Sequence, residues 1–153
     1  MNYLKTLQSK KGFTLIELLV VIAILGVLVV GLMVAINPAD KINQAGDARV
    51  LNDIGALARA SESYSTTHSG FYPSAIADLV TASEMKLAPI APSGYTAYSY
   101  TSLPAACTAG TTCTSIVITN QLKSSKYSAT PFFRYESATG KSCAVVTAAT
   151  SCP

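Results

Sequence analysis

The most prominent feature of the chain is an apolar run, residues 18–36, which contains no polar side chain. At about 1.5 Å per residue, a helix of this length is about as long as the hydrocarbon core of a bilayer is thick. One carboxylate, Glu17, directly precedes the run. The pattern predicts a membrane-spanning helix whose acid lies at the membrane edge or inside it, where a charge requires a partner.

A second helical pattern follows the apolar run. Val50, Ile54 and Leu57 recur at spacings of four and three, with charged residues mostly on other faces. We therefore expect one long helix over about residues 13–66, with a weak point near Pro38 and with Asn37, before the proline, in extended geometry. The apolar stripe of the second half must pack against the rest of the chain.

Gly70 and Pro73 mark the end of this helix. Residues 75–86 are predicted to form a short helix. Residues 88–94 (APIAPSG) contain two prolines and a glycine, which is typical of a loop. The helical period is lost after this loop.

Alternation with period two begins at Tyr95 and continues to Ser102, and residues 115–120 and 131–137 are rich in β-branched and aromatic side chains. These patterns predict three or four short antiparallel strands folded against the amphipathic half of the long helix, an α+β fold. The Ser, Thr and Ala richness of residues 101–115 and 137–151 predicts surface loops.

The charge distribution orients the chain in a membrane. Three of the 11 basic residues precede Gly12, no acidic residue does, and the rest of the chain is balanced. By the positive-inside rule the leader stays in the cytoplasm and everything after residue 36 is translocated. The predicted organisation is a leader, residues 1–12, a transmembrane and assembly helix, residues 13–37, and an extracytoplasmic part, residues 38–153, that combines the amphipathic helix with a β domain.

The leader meets the apolar helix at Gly12, Phe13 and Glu17. A protease at the cytoplasmic membrane face needs a small, uncluttered residue such as Gly12, and its cut would create an α-amino group on Phe13. A neighbouring subunit shifted along the helix axis could present that amine to Glu17, and the pair would then mark the axial register, because a misaligned helix leaves a charge unpaired.

Residues 10–18, KKGFTLIEL, closely resemble the opening of type IV pilins and of the pseudopilins of type II secretion systems. The resemblance implies a pilin-like fold, cleavage after Gly12 by a prepilin peptidase and N-methylation of Phe13. It further implies that Glu17 contacts a neighbour's N-terminal amine and that the helix loosens near a proline, here Pro38, with Gly26 and Gly31 upstream. The implied partners are other copies of the chain, minor pilins and an inner-membrane assembly platform, with an inner-membrane precursor pool before a surface filament forms.

Four cysteines fall in the translocated part, where disulfides form. Cys107 and Cys113 can close a small loop, and Cys143 with Cys152 would tie down the C-terminus, much as a disulfide encloses the C-terminal region of many pilins. Four cysteines allow three connectivities. Nearest-neighbour pairing is our prediction.

No nucleophile, base or metal-ligand spacing stands out, so we expect neither an enzyme, a metal nor a cofactor. The single histidine, His68, is expected to be a solvated turn residue. Tyr95, Tyr98 and Tyr100 could stack on nucleic-acid bases, but such alternation is more typical of strands. Two alternatives to a pilus subunit stay open: a pseudopilin, and a single-pass anchored binding domain that keeps its leader.

Overall fold

The structure is a computed structural model that describes residues 12–153. The leader residues 1–11, with their three lysines, lie outside the described residues. The chain forms two compact units, one up to Pro38 and one comprising Ala39–Pro153. Helix α1 spans Leu15–Ile36 and helix α2 spans Pro38–Thr67. The predicted helical N-terminal part is therefore confirmed.

Asn37 separates the two helices, and its backbone is left-handed, with φ 45° and ψ 74°. The extended geometry expected for this residue is wrong. The ring of Pro38 disfavours right-handed helical geometry at the preceding residue, and asparagine tolerates left-handed geometry better than most residues. Pro38 itself is the first residue of α2, a position where its missing N–H costs nothing.

A short helix, α3, spans Ile76–Thr81, about half of the predicted 75–86. Its C-cap is Ala82, and Ser83 has a positive φ of 62°, which ends the helical geometry. Asp78 caps its start by accepting from the backbone N–H of Ser74 at 2.9 Å and of Ala75 at 3.0 Å. Leu79 is fully buried and fastens this helix to the core.

Four antiparallel strands form one sheet in the order β1-β2-β3-β4: Ser99–Leu103, Ser115–Gln121, Phe132–Glu136 and Lys141–Val145. The predicted strand number is confirmed, but β4 lies within residues 137–151, which we expected to be a loop. Its residues are mostly small or polar and carry a weak strand signal, yet they pair with the aromatic strand β3. A 3-10 turn, Ser125–Tyr127, separates β2 from β3.

The core of the globular unit lies between α2 and one face of the sheet. Val50, Ile54 and Leu57 of α2 are fully buried, as are Ile116 and Ile118 of β2. The amphipathic stripe predicted from the spacing is therefore the packing face of α2. Ser99 and Thr101 of β1 point away from it and are exposed.

Two carboxylates of α2 bind the turn that follows β2. Asp47 is almost fully buried and accepts from the backbone N–H of Lys123 at 2.8 Å, from that of Ser124 at 2.9 Å and from the hydroxyl of Tyr95 at 2.7 Å. Burial alone would raise the pKa of Asp47, but these hydrogen bonds outweigh it and hold the pKa below its ordinary value. These three hydrogen-bond donors thus stabilise the buried charge of Asp47.

Asp40, in the first turn of α2, makes the second of these contacts. Its carboxylate accepts from the backbone N–H of Ser125 at 2.7 Å and from the hydroxyl of the same residue at 2.9 Å. The backbone bond is the main reason why the pKa of Asp40 is lowered. Together, Asp40 and Asp47 hold residues 123–125 against the N-terminal part of α2.

Candidate functional site: the N-terminal segment

The N-terminus of α1 is closed by a reciprocal capping box. Thr14 is the N-cap, and its Oγ1 accepts from the backbone N–H of Glu17 at 3.3 Å. In return the Glu17 carboxylate accepts from the backbone N–H of Thr14 at 2.9 Å and from its hydroxyl at 2.7 Å. Such a box satisfies donors that the first turn of a helix otherwise leaves unpaired.

Glu17 therefore has a local partner in the single chain, which our sequence analysis missed. The signal was present, because Thr14-Leu15-Ile16-Glu17 has the Thr-x-x-Glu spacing of a capping box. Both bonds from Thr14 reach the same oxygen, Oε2. The other oxygen, Oε1, has lone pairs that can accept from a donor on another molecule.

The predicted cleavage residues are accessible. Gly12 lies before the helix, in a segment without regular structure, and a Cβ placed on it would meet nothing within 4 Å. Phe13 is 77 % exposed. A protease would therefore meet no obstruction from the described residues at the bond between Gly12 and Phe13.

No residue of α1 is buried in the single chain. Its most apolar 18-residue window has a mean hydropathy of 3.3, and the helix is long and apolar enough to cross a membrane. An uncovered apolar helix of this length is unfavourable in water, because each exposed aliphatic side chain forgoes roughly 2 kcal/mol of transfer free energy. Lipid, other protein or both must cover it.

The residues predicted to weaken the helix fall into two groups. Gly26 and Gly31 lie inside the continuous helix α1, with open space around both. The only interruption within residues 15–67 is at Asn37, directly before Pro38. That these three positions loosen on assembly remains a prediction.

Residues 7–33 match the family model described as Prokaryotic N-terminal methylation motif. This chain carries a prepilin-type methylation motif. The resemblance to type IV pilins and pseudopilins is thereby confirmed for the segment that contains Gly12, Phe13 and Glu17, and the motif belongs to structural rather than catalytic proteins. Comparison with curated proteins and with solved structures gives no match.

Both predicted disulfides are present in the globular unit. Cys107 pairs with Cys113, and Cys143 pairs with Cys152. The first closes a loop that lies beside the C-terminal end of α2, where Gly110 donates its N–H to the carbonyl of Tyr72 at 3.1 Å. The second ties the C-terminal segment to β4. Nearest-neighbour connectivity is therefore the one that the fold accommodates.

The tyrosines considered for base stacking face the helix instead. The hydroxyl of Tyr98 donates to Asp53 at 2.5 Å, that of Tyr95 to Asp47, and that of Tyr100 lies 3.3 Å from Ser61 Oγ. Burial raises the pKa of all three phenols above the ordinary value. Their hydroxyls join the sheet side of the unit to α2.

His68 lies in the turn that ends α2, as predicted, but its ring is less solvated than we expected. Its ring is half-buried and stacks on the ring of Tyr64, with the centroids 3.8 Å apart. Its Nδ1 lies 2.9 Å from the carbonyl oxygen of Tyr64. Among residues 12–153, no group of three or more His, Cys, Asp or Glu side chains is arranged to hold a metal ion.

Proposed function

We propose that this chain is a structural subunit of a type IV pilus-like filament, processed by a prepilin peptidase and polymerised through its N-terminal helix. The observation that carries the proposal is the methylation motif at residues 7–33, followed by a helix, α1, that buries none of its own residues. The membrane covers this helix in the precursor, and neighbouring α1 helices cover it in the filament.

Processing supplies the charge that assembly uses. Cleavage after Gly12 gives Phe13 a free α-amino group, four residues before Glu17. In a bundle of α1 helices the amine of one copy binds Oε1 of Glu17 in the next, while Thr14 continues to hold Oε2. A shift in axial alignment would leave both charges unpaired in a medium of low dielectric, so the pair sets the register of the polymer.

The first test is the mass of the N-terminal peptide, measured on protein recovered from the native membrane and from the sheared surface fraction. We expect a chain that begins at N-methylated Phe13. A chain that still begins at Met1 would contradict the proposal and favour a plain membrane-anchored domain. Mature protein in sheared filaments indicates a pilus, whereas mature protein that stays with the cell envelope indicates a pseudopilus.

The second test separates the charge of Glu17 from its capping role. Glu17→Gln retains an amide oxygen that can accept from Thr14 but has no charge, whereas Glu17→Ala removes both. If the charge sets the register, both variants insert into the membrane normally and both lose filaments. Filament loss confined to Glu17→Ala would show that only the cap matters, and normal filaments in both variants would remove the register argument.

We further propose that the assembled subunit contacts an inner-membrane assembly platform and related minor pilins, and that the globular unit is extracytoplasmic. The two disulfides support an oxidising location for this unit. Alkylation of unreacted thiols in whole cells, with and without prior reduction, tests this location. Four cysteines that react without reduction would contradict it.

A further inference from the structure

The N-terminal end of the globular unit carries a group of side chains suited to a lipid surface. We propose that this end, the first turn of α2 with the 3-10 turn bonded to it, rests on the headgroups of anionic lipids through Lys41 and Lys126 while the chain is anchored. The inference rests on the proposed function, because it requires α1 to span a membrane. The inference adds one partner, anionic lipid, that the proposed function does not specify.

Chain connectivity brings this end near the membrane. Helix α1 has 22 residues, which at about 1.5 Å each correspond to about 33 Å, close to the thickness of the hydrocarbon core. The apolar run ends at Ile36, and Asp40 follows four residues later. Four residues extend at most about 14 Å, so the chain at Asp40 lies within reach of the headgroup region.

Asp40 also holds a second segment, the 3-10 turn Ser125–Tyr127, beside the first turn of α2. Because its carboxylate holds the backbone and the hydroxyl of Ser125, the 3-10 turn Ser125–Tyr127 lies against the first turn of α2. Lys126 is in this turn, and Lys41 directly follows Asp40 in sequence; both lysines are exposed. A third lysine, Lys123, is anchored beside Asp47, two turns farther along α2.

Lysines outnumber the accessible acids of this group of side chains. The carboxylates bonded to residues 123–125 are those of Asp40 and Asp47, and both accept from backbone N–H groups. Asp47 is only 1 % exposed, whereas Asp40 is half-buried and keeps its charge, so an approaching surface meets three exposed lysines, Lys41, Lys123 and Lys126, against one partly exposed carboxylate. Lysines near an anionic leaflet are attracted over roughly one Debye length, about 8–10 Å at physiological ionic strength.

Two apolar side chains accompany these lysines. Ile42, next to Lys41, is 73 % exposed although it belongs to the first turns of an otherwise well-packed helix. Tyr127 packs partly against the core and is half-buried, so only part of its ring can meet lipid; Lys126 Nζ lies 5.0 Å from the ring centroid. Tyrosine is enriched at membrane interfaces, where its ring and hydroxyl meet both environments. Cationic and apolar groups together are typical of an interfacial contact.

The test uses the full chain reconstituted into vesicles of phosphatidylcholine alone or with phosphatidylglycerol. A membrane-impermeant acylating reagent labels the amines, and mass spectrometry gives the rate at each lysine. Lys86 and Lys141, exposed and outside this end, are internal references in the same molecules. In anionic vesicles we expect the rates at Lys41 and Lys126, relative to the references, to fall roughly five-fold, with a smaller fall at Lys123.

A matched pair of double variants distinguishes docking from mere proximity to a charged surface. Lys41→Gln/Lys126→Gln should abolish the protection of Lys123, whereas Lys86→Gln/Lys141→Gln, which removes the same charge, should preserve it. Salt at about 1 M, where the Debye length is about 3 Å, should also abolish the protection of Lys123. Unchanged protection of Lys123 in the first variant would overturn the inference.

Two further outcomes would overturn the inference while leaving the membrane anchor of the proposed function intact. Equal relative rates in neutral and anionic vesicles would show that the lysines do not meet lipid. Protection that appears in neutral vesicles and disappears on dilution of protein in lipid would assign this surface to a second protein copy. A chain that does not float with vesicles would contradict the membrane anchor itself, and the inference with it.

Discussion

Replacement of Asp47 by asparagine tests whether a buried carboxylate holds the turn after β2. Oδ1 of Asp47 accepts from Tyr95 and from the backbone N–H of Lys123, and an asparagine can retain both bonds through its own oxygen. Oδ2 accepts from the N–H of Ser124 in a buried bond. In the variant an NH₂ group would face that N–H, donor against donor.

The expected loss of stability comes from the bond between the N–H of Ser124 and Oδ2 of Asp47. A buried donor left without its charged acceptor costs on the order of 2 kcal/mol. For a unit of this size, that corresponds to a decrease of roughly 8 °C in the midpoint of thermal unfolding. Asp40→Asn is the matched control: it changes the same group on the same helix, but its bonds to Ser125 are exposed, so water can replace them and we expect a loss below about 1 kcal/mol.

The assay is thermal unfolding of the full chain in detergent micelles, followed by the near-ultraviolet circular dichroism of tyrosine, which α1 lacks. The pKa of Asp47 is lower in the folded chain, so its contribution to stability is present above the unfolded pKa, near 4, and is lost as the pH falls through the folded value. The difference between wild type and Asp47→Asn should therefore be full at pH 7 and shrink as the pH falls below the ordinary carboxyl pKa, near 4. Equal losses in the two variants, or a difference that does not depend on pH, would refute the reasoning.

Two further predictions use pairs of glycines. Gly46→Ala should destabilise the globular unit by about 1–3 kcal/mol, because its Cβ would lie 2.6 Å from the anchored ring of Tyr95. Gly55→Ala, whose Cβ meets only a movable arginine tip at 3.3 Å, should be neutral or stabilising by up to about 1 kcal/mol. Chemical denaturation of both variants measures the two changes in the free energy of unfolding. Gly110→Ala should cost more than Gly140→Ala, since both have a positive φ but only the first would meet a histidine ring, at 2.7 Å. Amide exchange in the Cys107–Cys113 loop should accelerate only in the first, and equal exchange in both would contradict the predicted contact.

The polar contacts between α2 and the sheet give the unit a single arrangement. Glu62 accepts from the hydroxyl of Tyr72 at 3.0 Å and from that of Tyr135, while Asp53 accepts from Tyr98. Partly buried hydroxyls and carboxylates that are bonded in this way favour one alignment of the elements, because a slip would leave some of them unpaired. The tyrosine spacing predicted a strand from Tyr95, but β1 begins at Ser99, so only Tyr100 of the three alternating tyrosines lies in it, and the spacing did not indicate these partners.

Local signals in the sequence determined the N-terminal part of the protein. The apolar run defines α1 by its length and composition, and the Gly12, Phe13 and Glu17 spacing identifies the processing motif, because these properties depend on residues next to one another in the chain. The Thr14 and Glu17 capping box was equally readable for the same reason. The apolar spacing of α2 also identified its packing face correctly.

Tertiary structure alone decided what depends on residues distant in sequence. Strand β4 has little intrinsic strand character and exists because β3 offers it a free edge to pair with. The cysteine pairing follows from which thiols the strands and loops bring together. Asp40 and Asp47 read as ordinary surface acids of an amphipathic helix, and only the return of the chain at Lys123–Ser125 makes them the acceptors that hold the turn, since donors some 80 residues away leave no local pattern in the sequence.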